Sequence, residues 1–468
     1  MSIASSLSNA LSGLNISGRR AQVVSENIAH AQTEGYGRRE LATSSGWSGP
    51  RVDGIIRNVD RGLVSDRRIA ESQLGADQRT ADMLGKIEAL VGAPGDADSL
   101  VSRLSKFETS LIFAANEPSS DQRLEAANTA LKSVGTYLHQ TSDGVQNLRE
   151  TADAAIGRDI SELNASLQRI EQLNADISRT RSAGQDVSNL LDIRHQVVDA
   201  ISEIVPLRQL DRGNDQLALM STNGLVLIDG RAAKFAFENT PTITAEMTLT
   251  TGGLSGITLN GAPLDPANGY GRLSGGSLSA AFAQRDGTLV QAQDRLDAIA
   301  LDLIERMSDP SIDPTAGAVG LLTDGGGPVD PSDITGLATR LQVNVAADPS
   351  QGGVISAWRD GVNAASPGPL GDSGQLNRWR EALTSFGGHS IMDKAADLSA
   401  NLSRARLDAE TELSFSAARW DSLHNAELAG GVDTDVELQN LLLVEQAYAA
   451  NAKVIQTVSA MMQQLMEI

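Results

Sequence analysis

Asp433, Asp435 and Glu437 bring three carboxylates within five positions, a set that could hold a divalent cation through oxygen ligands. A plainer chemistry fits the same residues. Thr434 is followed three residues later by Glu437, just ahead of Leu438 and Leu441, which is the pattern of a capping box. Acids at such a position also face the positive end of the helix dipole. Thr434 and Glu437 are therefore expected to cap a helix, and no metal site is expected. The five histidines, His30, His139, His195, His389 and His424, are scattered, and none stands at a metal-binding spacing such as H-E-x-x-H. Gly85-Lys86 lacks the upstream glycine of a phosphate loop, and no serine lies in a G-x-S-x-G elbow. Cysteine is absent, which removes thiol nucleophiles, thiolate metal ligands and disulfides together. These residues predict no catalytic group and no cofactor.

The helix that Thr434 and Glu437 would open carries Leu441, Val444, Tyr448, Asn451, Ile455, Val458, Met462 and Leu465 at alternating spacings of three and four. That spacing places them along one coiled-coil seam, with Asn451 its polar member. At the other end of the sequence, Ile3, Leu7, Ala10, Leu14, Ser17, Ala21, Val24 and Ile28 keep the same period. A helix from Thr434 to Ile468 would be about 50 Å long, too long for a globular domain to cover along its whole length. Pairing the two seams would still leave the flanks Leu442, Ala447, Val454 and Met461 uncovered. Contacts to neighbouring subunits are the expected completion. Leu7, Leu11, Leu14, Val24 and Ile28 with Leu441, Val444, Tyr448, Asn451, Ile455, Val458, Met462 and Leu465 are the expected packing residues. A seam asparagine such as Asn174 or Asn451 is expected to fix register.

The 468 residues leave room for roughly three domains of about 150 residues each, and 41% apolar content suffices for packed cores. A formal charge of -21 argues against nucleic acid or an anionic membrane surface as partner. Aromatic residues at 3% argue against ring-lined ligand pockets. The opening MSIASSLSNALSGLN has neither a basic start nor an apolar core, so no cleaved signal peptide is expected, and no apolar run approaches the roughly 20 residues of a membrane span.

Mainly α structure with a smaller β-domain is the expected fold class. In it the N- and C-terminal regions form a long helical coiled-coil bundle, and a β-rich outer domain is inserted in the middle. Residues 1–73 with 431–468 would form the inner terminal coiled coil and an extended segment, with Asp53-Gly54 as a turn. Residues 74–206, 277–308 and 375–430 would form a bundle of long helices. Its longest member, from about Ser120 to Ser182, carries two heptad seams offset by one residue near Ala152, a stutter that unwinds the supercoil locally. Between 207 and 276 the period changes to two, and Asn223-Gly224, Asp229-Gly230 and Asn260-Gly261 predict tight hairpins. This β-rich domain is expected to project away from the terminal helices. Residues 309–374, rich in Gly, Pro and Asp, read as an exposed insertion with little core of its own.

Two segments carry a family resemblance. Ser25-Glu26-Asn27-Ile28-Ala29 followed by Thr33-Glu34-Gly35-Tyr36-Gly37-Arg38 resembles the N-terminal signature of the axial proteins of the bacterial flagellum, the family of rod, hook and hook-associated proteins. Gly431-Val432-Asp433, then Glu445 to Ile455, resembles the matching C-terminal signature. Ile170 to Ile177 and Asn189-Leu190-Leu191-Asp192-Ile193-Arg194 are similar to the hook-associated members found at the hook-filament junction. His30, Glu34 and His195 depart from the residues common there. The resemblance covers residues 1 to about 230 and 375 to 468. It implies a structural adaptor ring that contacts copies of itself, the hook protein and a second junction protein. It also implies type III export into the extracellular flagellum, with a dedicated chaperone on the C-terminal helix before export. Another axial protein, a hook or distal rod component, is the alternative. An axial protein carrying a wall-hydrolase domain would need a carboxylate pair within residues 231–374.

Overall fold

One helix of 62 residues, Asp121–Ser182, forms the axis of the molecule, and at about 1.5 Å per residue it runs roughly 93 Å. The computed structural model describes residues 3–46, 49–93, 95–213, 215–264, 270–317 and 319–466. Ahead of the axis come α1 (Ile3–Ala29), the hairpin strands β1 (Arg38–Gly46) and β2 (Gly49–Asn58), α2 (Arg61–Val91) and α3 (Leu100–Asn116); the axis itself is α4. Next are α5 (Ser188–Ile204), β3 (Leu207–Asp211), β4 (Leu217–Ser221), β5 (Val226–Asp229), β6 (Arg231–Ala232), β7 (Phe235–Ala236), β8 (Thr258–Leu259) and β9 (Ala262–Pro263). The chain continues through α6 (Ser277–Ala283), α7 (Leu289–Ser308), β10 (Leu322–Asp324), α8 (Leu337–Arg340), β11 (Leu341–Val343), α9 (Ala357–Asp360), α10 (Gly374–Ser385), α11 (Ile391–Ala429) and α12 (Thr434–Met466). Helix dominates and the sheets are small and antiparallel, in keeping with the expected class.

Two hydrophobic cores share α4. Its first half, Leu124 to Ala152, packs with α2, α3, α7, α10 and the start of α11. Its second half, from Ala155 to Ile170, packs with α5, α6 and the strands. The stutter falls where one core gives way to the other. There Asp153 forms a buried ion pair with Arg285 at 2.6 Å, in a single π-turn (Gln284–Thr288) that joins α6 to α7. The wider turn frees the Arg285 carbonyl, and Arg149 donates to it at 3.1 Å.

The dipeptides Asn223-Gly224, Asp229-Gly230 and Asn260-Gly261 each turn a hairpin, joining β4 to β5, β5 to β6 and β8 to β9. Asn260 and Gly261 both have positive φ, as a type I′ turn requires. The strands are two to five residues long, too short to enclose a core alone, and they lie against α4. The expectation of a projecting β-domain is therefore corrected to a layer on the second half of the axis.

Three further expectations change. Asp53-Gly54 makes no turn: the first hairpin reverses between Gly46 and Gly49, and Asp53 is the extra residue of a bulge opposite Ala42 and Thr43. The extended segment ends at Asn58 rather than 73, because the Asp60 carboxylate accepts from the N–H groups of Gly62 and Leu63 and starts α2 there. Residues 309–374 are not an exposed insertion. Leu321, Leu337, Leu341, Ala347 and Trp358 are buried in the first core. The reason lies in a repeated Asp-Pro-Ser/Thr turn, at Asp309, Asp313, Asp330 and Asp348. In each, the carboxylate accepts from the N–H and hydroxyl two residues on. Such turns hold an aperiodic chain folded while its scattered apolar side chains reach the bundle.

Candidate assembly interface

α1 and α12 run antiparallel as a two-stranded pair, with Gly13 against Asn451 and with Leu7, Val458 and Met462 around one apolar groove. The side chain that caps α12 is Asp433, whose Oδ1 accepts from the N–H groups of Asp435 and Val436 at 2.9 and 3.1 Å. The capping box expected on Thr434 and Glu437 is thus corrected. An aspartate caps as well as a threonine, and Glu437 turns inward, buried, to accept from Arg38 at 2.8 Å. That bond ties α12 to the first residue of β1.

The expected packing residues divide into three groups. Val24, Val444 and Val458 are each 8% exposed and are consumed by the α1–α12 contact. Leu7, Leu14, Ile28, Leu441 and Ile455 are half-buried along its margins. Leu11 (53% exposed), Tyr448 (51%) and Met462 (48%) face solvent, beside the flanking Leu442, Leu443 and Met461. The side chain of Leu465 lies outside the described residues. Asn451 is half-buried and donates to the Ala447 carbonyl of its own helix at 2.9 Å. It fills the space over Gly13, where a Cβ would stand 2.7 Å from its amide. Asn174 donates instead to the Leu217 carbonyl and holds β4 on the axis.

A polar joint connects this pair to the bundle. Asn27 on α1 donates to the Arg39 carbonyl at 2.9 Å and accepts from the Arg39 N–H at 3.0 Å, so one side chain replaces a strand partner. Tyr36 also donates to Asn27, at 2.9 Å, and its ring lies between His30 and the Arg39 guanidinium. Burial pushes the Tyr36 phenol up to about 12. Arg39, almost fully buried, reaches Glu26 on α1 at 3.0 Å and both Asn189 and Asp192 on α5, at 2.6 and 2.9 Å. Asp192 takes a second cation, Arg57 from β2, at 2.6 Å, and the Glu34 carbonyl accepts from Gln196. The signature residues thus form the polar joint between the terminal helices and the rest.

A second cluster closes the other side of α5. α2 and α11 lie antiparallel, with Arg67 bonded to Glu427, Glu71 and Asp199, and Arg68 to Asp199 and the His195 carbonyl. Burial opposes the charge on Glu427, but His195 and Arg67 beside it prevail and hold its carboxyl at about 2. Burial lowers His195, which sits 3.5 Å from Asp199 and 3.7 Å from Glu427. Sequence reasoning missed Arg39, Asp192, Arg67 and Glu427 as joint residues. Arg39 follows one quoted signature directly and Asp192 lies within another, but isolated charges carry no period to mark their role.

Among the described residues no group of three His, Asp or Glu could hold a metal ion, and no helix is long and apolar enough to cross a membrane. Residues 84–310 match the family model of the flagellar hook-associated protein FlgK helical domain, and residues 429–468 match that of the flagellar basal body rod FlgEFG protein C-terminal region. The flagellar hook-associated protein 1 of Escherichia coli K12 is 24% identical over 247 residues, covering 50% of this chain and 44% of that protein. Its counterpart from Salmonella typhimurium LT2 is 26% identical over 251 residues, with the same two coverages. The chain thus spans less than half the length of the curated relatives it matches. The solved flagellar hook junction protein FlgK of Burkholderia pseudomallei superposes with a TM-score of 0.45 at 19% identity, over 56% of this chain and 47% of that one. The first model runs from α2 through α4 to the end of α7 and the second spans α12, so the chain is similar to flagellar hook-associated proteins in its long-helix region and to flagellar rod proteins at its last helix, in that order.

Proposed function

We propose that the chain is a structural, non-catalytic adaptor of the flagellar axis, set as a ring of copies between hook and filament. The observation that carries this reading is the set of exposed apolar side chains around the α1–α12 pair, with Leu11, Leu442, Leu443, Tyr448 and Met462 uncovered in the lone chain. Burying one large apolar side chain contributes about 1.5–3 kcal/mol, so three leucines, a methionine and a tyrosine ring, each half-covered, supply a driving force of several kcal/mol for association. Its neighbours in the axis would be further copies, the hook protein and a second junction protein. Before assembly the same side chains of α12 would be held by a dedicated chaperone. Export would run through the flagellar type III apparatus into the extracellular flagellum, and a chain without cysteine can unfold for a narrow channel without reduction. The test is complementation of a strain lacking its junction protein. Electron micrographs are expected to show filaments restored by the wild-type chain and bare hooks with a chain ending at 453. Normal filaments from the truncated chain would contradict the proposal.

A further inference from the structure

Four arginines, Arg57, Arg61, Arg181 and Arg194, wall a cleft of about 610 Å³ between the start of α2 and the α5 and β3–β4 layer. So many cations in one cleft are unexpected in a chain of net charge -21. Arg57 is answered by Asp192, Arg61 by Asp211 and Arg181 by Asp215. Arg194 is different. It donates to the Asn174 side chain at 2.7 Å and to the Asp215 carbonyl at 2.6 Å, both neutral, and has no ion pair among the described residues. Burial pulls it down to about 10, against the pull of nearby Asp215. Ile55, Val59 and Leu217 add apolar patches to a lining that also holds Asp211, Asp215, Gln209 and Gln216. Such a site suits a carboxylate flanked by apolar side chains.

The chain itself displays such a segment. Asp435, Leu438 and Leu442 stand at i, i+3 and i+7 on one face of α12, all three exposed, and the Asp435 carboxylate has no partner among the described residues. The bond from Arg38 to Glu437 keeps this turn on its own hairpin, so it is presented outward. We infer that the arginine cleft receives the opening turns of α12 from a second copy, Asp435 meeting Arg181 and Arg194 while Leu438 and Leu442 cover the apolar patches. The two surfaces differ, so the contact is head-to-tail and generates a ring or an open helix of subunits. This inference rests on the self-assembly reading above and adds its geometry.

Sedimentation velocity on the full chain tests it, across concentration and salt, for the wild type, Arg181→Glu, Arg194→Gln, Asp435→Arg, and Arg181→Glu combined with Asp435→Arg. Arg181 and Asp435 are at the surface, and circular dichroism checks the fold of each variant. Each single change is expected to weaken association about tenfold, the combined exchange to restore most of it, and wild-type association to fall with salt. Association equal to wild type in all variants would overturn the cleft contact and leave assembly through the terminal faces standing. A wild-type chain that stays monomeric at every concentration would overturn both.

Discussion

Arg39 is the residue on which the terminal joint turns, because its backbone is paired by Asn27 and its guanidinium spans α1 and α5. Removing it strands Asp192 with one cation and leaves Glu26, a third of which is exposed, with none of its charge partner. Arg39→Ala should therefore cost about 2–4 kcal/mol, less than a fully buried pair, because Glu26 stays partly solvated. Arg39→Lys should recover part of that, since one ammonium cannot reach both helices. Denaturant midpoints measure both, and an unchanged midpoint for Arg39→Ala would contradict the role. The cluster around α5 carries a pH dependence of definite sign. His195 is lowered from 6.5 in the fold, so the unfolded chain takes its proton first, and stability that is full above 6.5 falls as pH drops below it. Glu427 is held at about 2 against 4.5, so its contribution is full above 4.5 and is lost as pH falls toward 2. Thermal melting against pH should show both declines, and Glu427→Gln should flatten the lower one. A wild-type melting temperature that rises on acidification would contradict the assignment.

At the scale of elements, α1 meets α12 with Gly13 directly beneath Asn451. Alanine is about 1 kcal/mol better than glycine in a helix interior, yet the added Cβ would collide with the Asn451 amide. Gly13→Ala alone should gain little or destabilise the pair, whereas Gly13→Ala with Asn451→Ala should exceed wild type. Hydrogen exchange across 434–466 reads the difference, and additive single effects would contradict the contact. Much at this scale was legible beforehand. The three Asn-Gly and Asp-Gly dipeptides located their hairpins, and the heptads of α4 located the helix, although its stutter carried no sign that two cores meet there. What stayed hidden depends on non-local packing. Trp358 is buried against Phe107 on α3 and donates to the Ala347 carbonyl, contacts that no local period announces. The Asp-Pro-Ser/Thr turns show in the sequence only as a bias toward Gly, Pro and Asp, although each is a specific local structure. In the terminal pair, the heptad gave the seam but not which members Val24, Val444 and Val458 would use up within the chain.

Across the whole molecule, the buried and the exposed parts have different chemistry. Two cores on one long axis hold their own buried ion pairs, such as Asp153 with Arg285. The terminal pair is joined to them through Arg38, Arg39 and Asp192, and it keeps leucines, Tyr448 and methionines in water. Uncovered apolar side chains grouped in this way mark an interaction surface. The central claim is that copies of the chain or its axial relatives cover those side chains. Its most direct test is sedimentation equilibrium of the wild-type chain beside Leu442→Glu/Tyr448→Glu/Met462→Glu, three exposed positions that leave the seam valines in place. The account predicts concentration-dependent association of the wild type and a monomer for the triple variant with an unchanged helical spectrum. Equal association of the two chains, or a wild type that remains monomeric at every concentration, would contradict it.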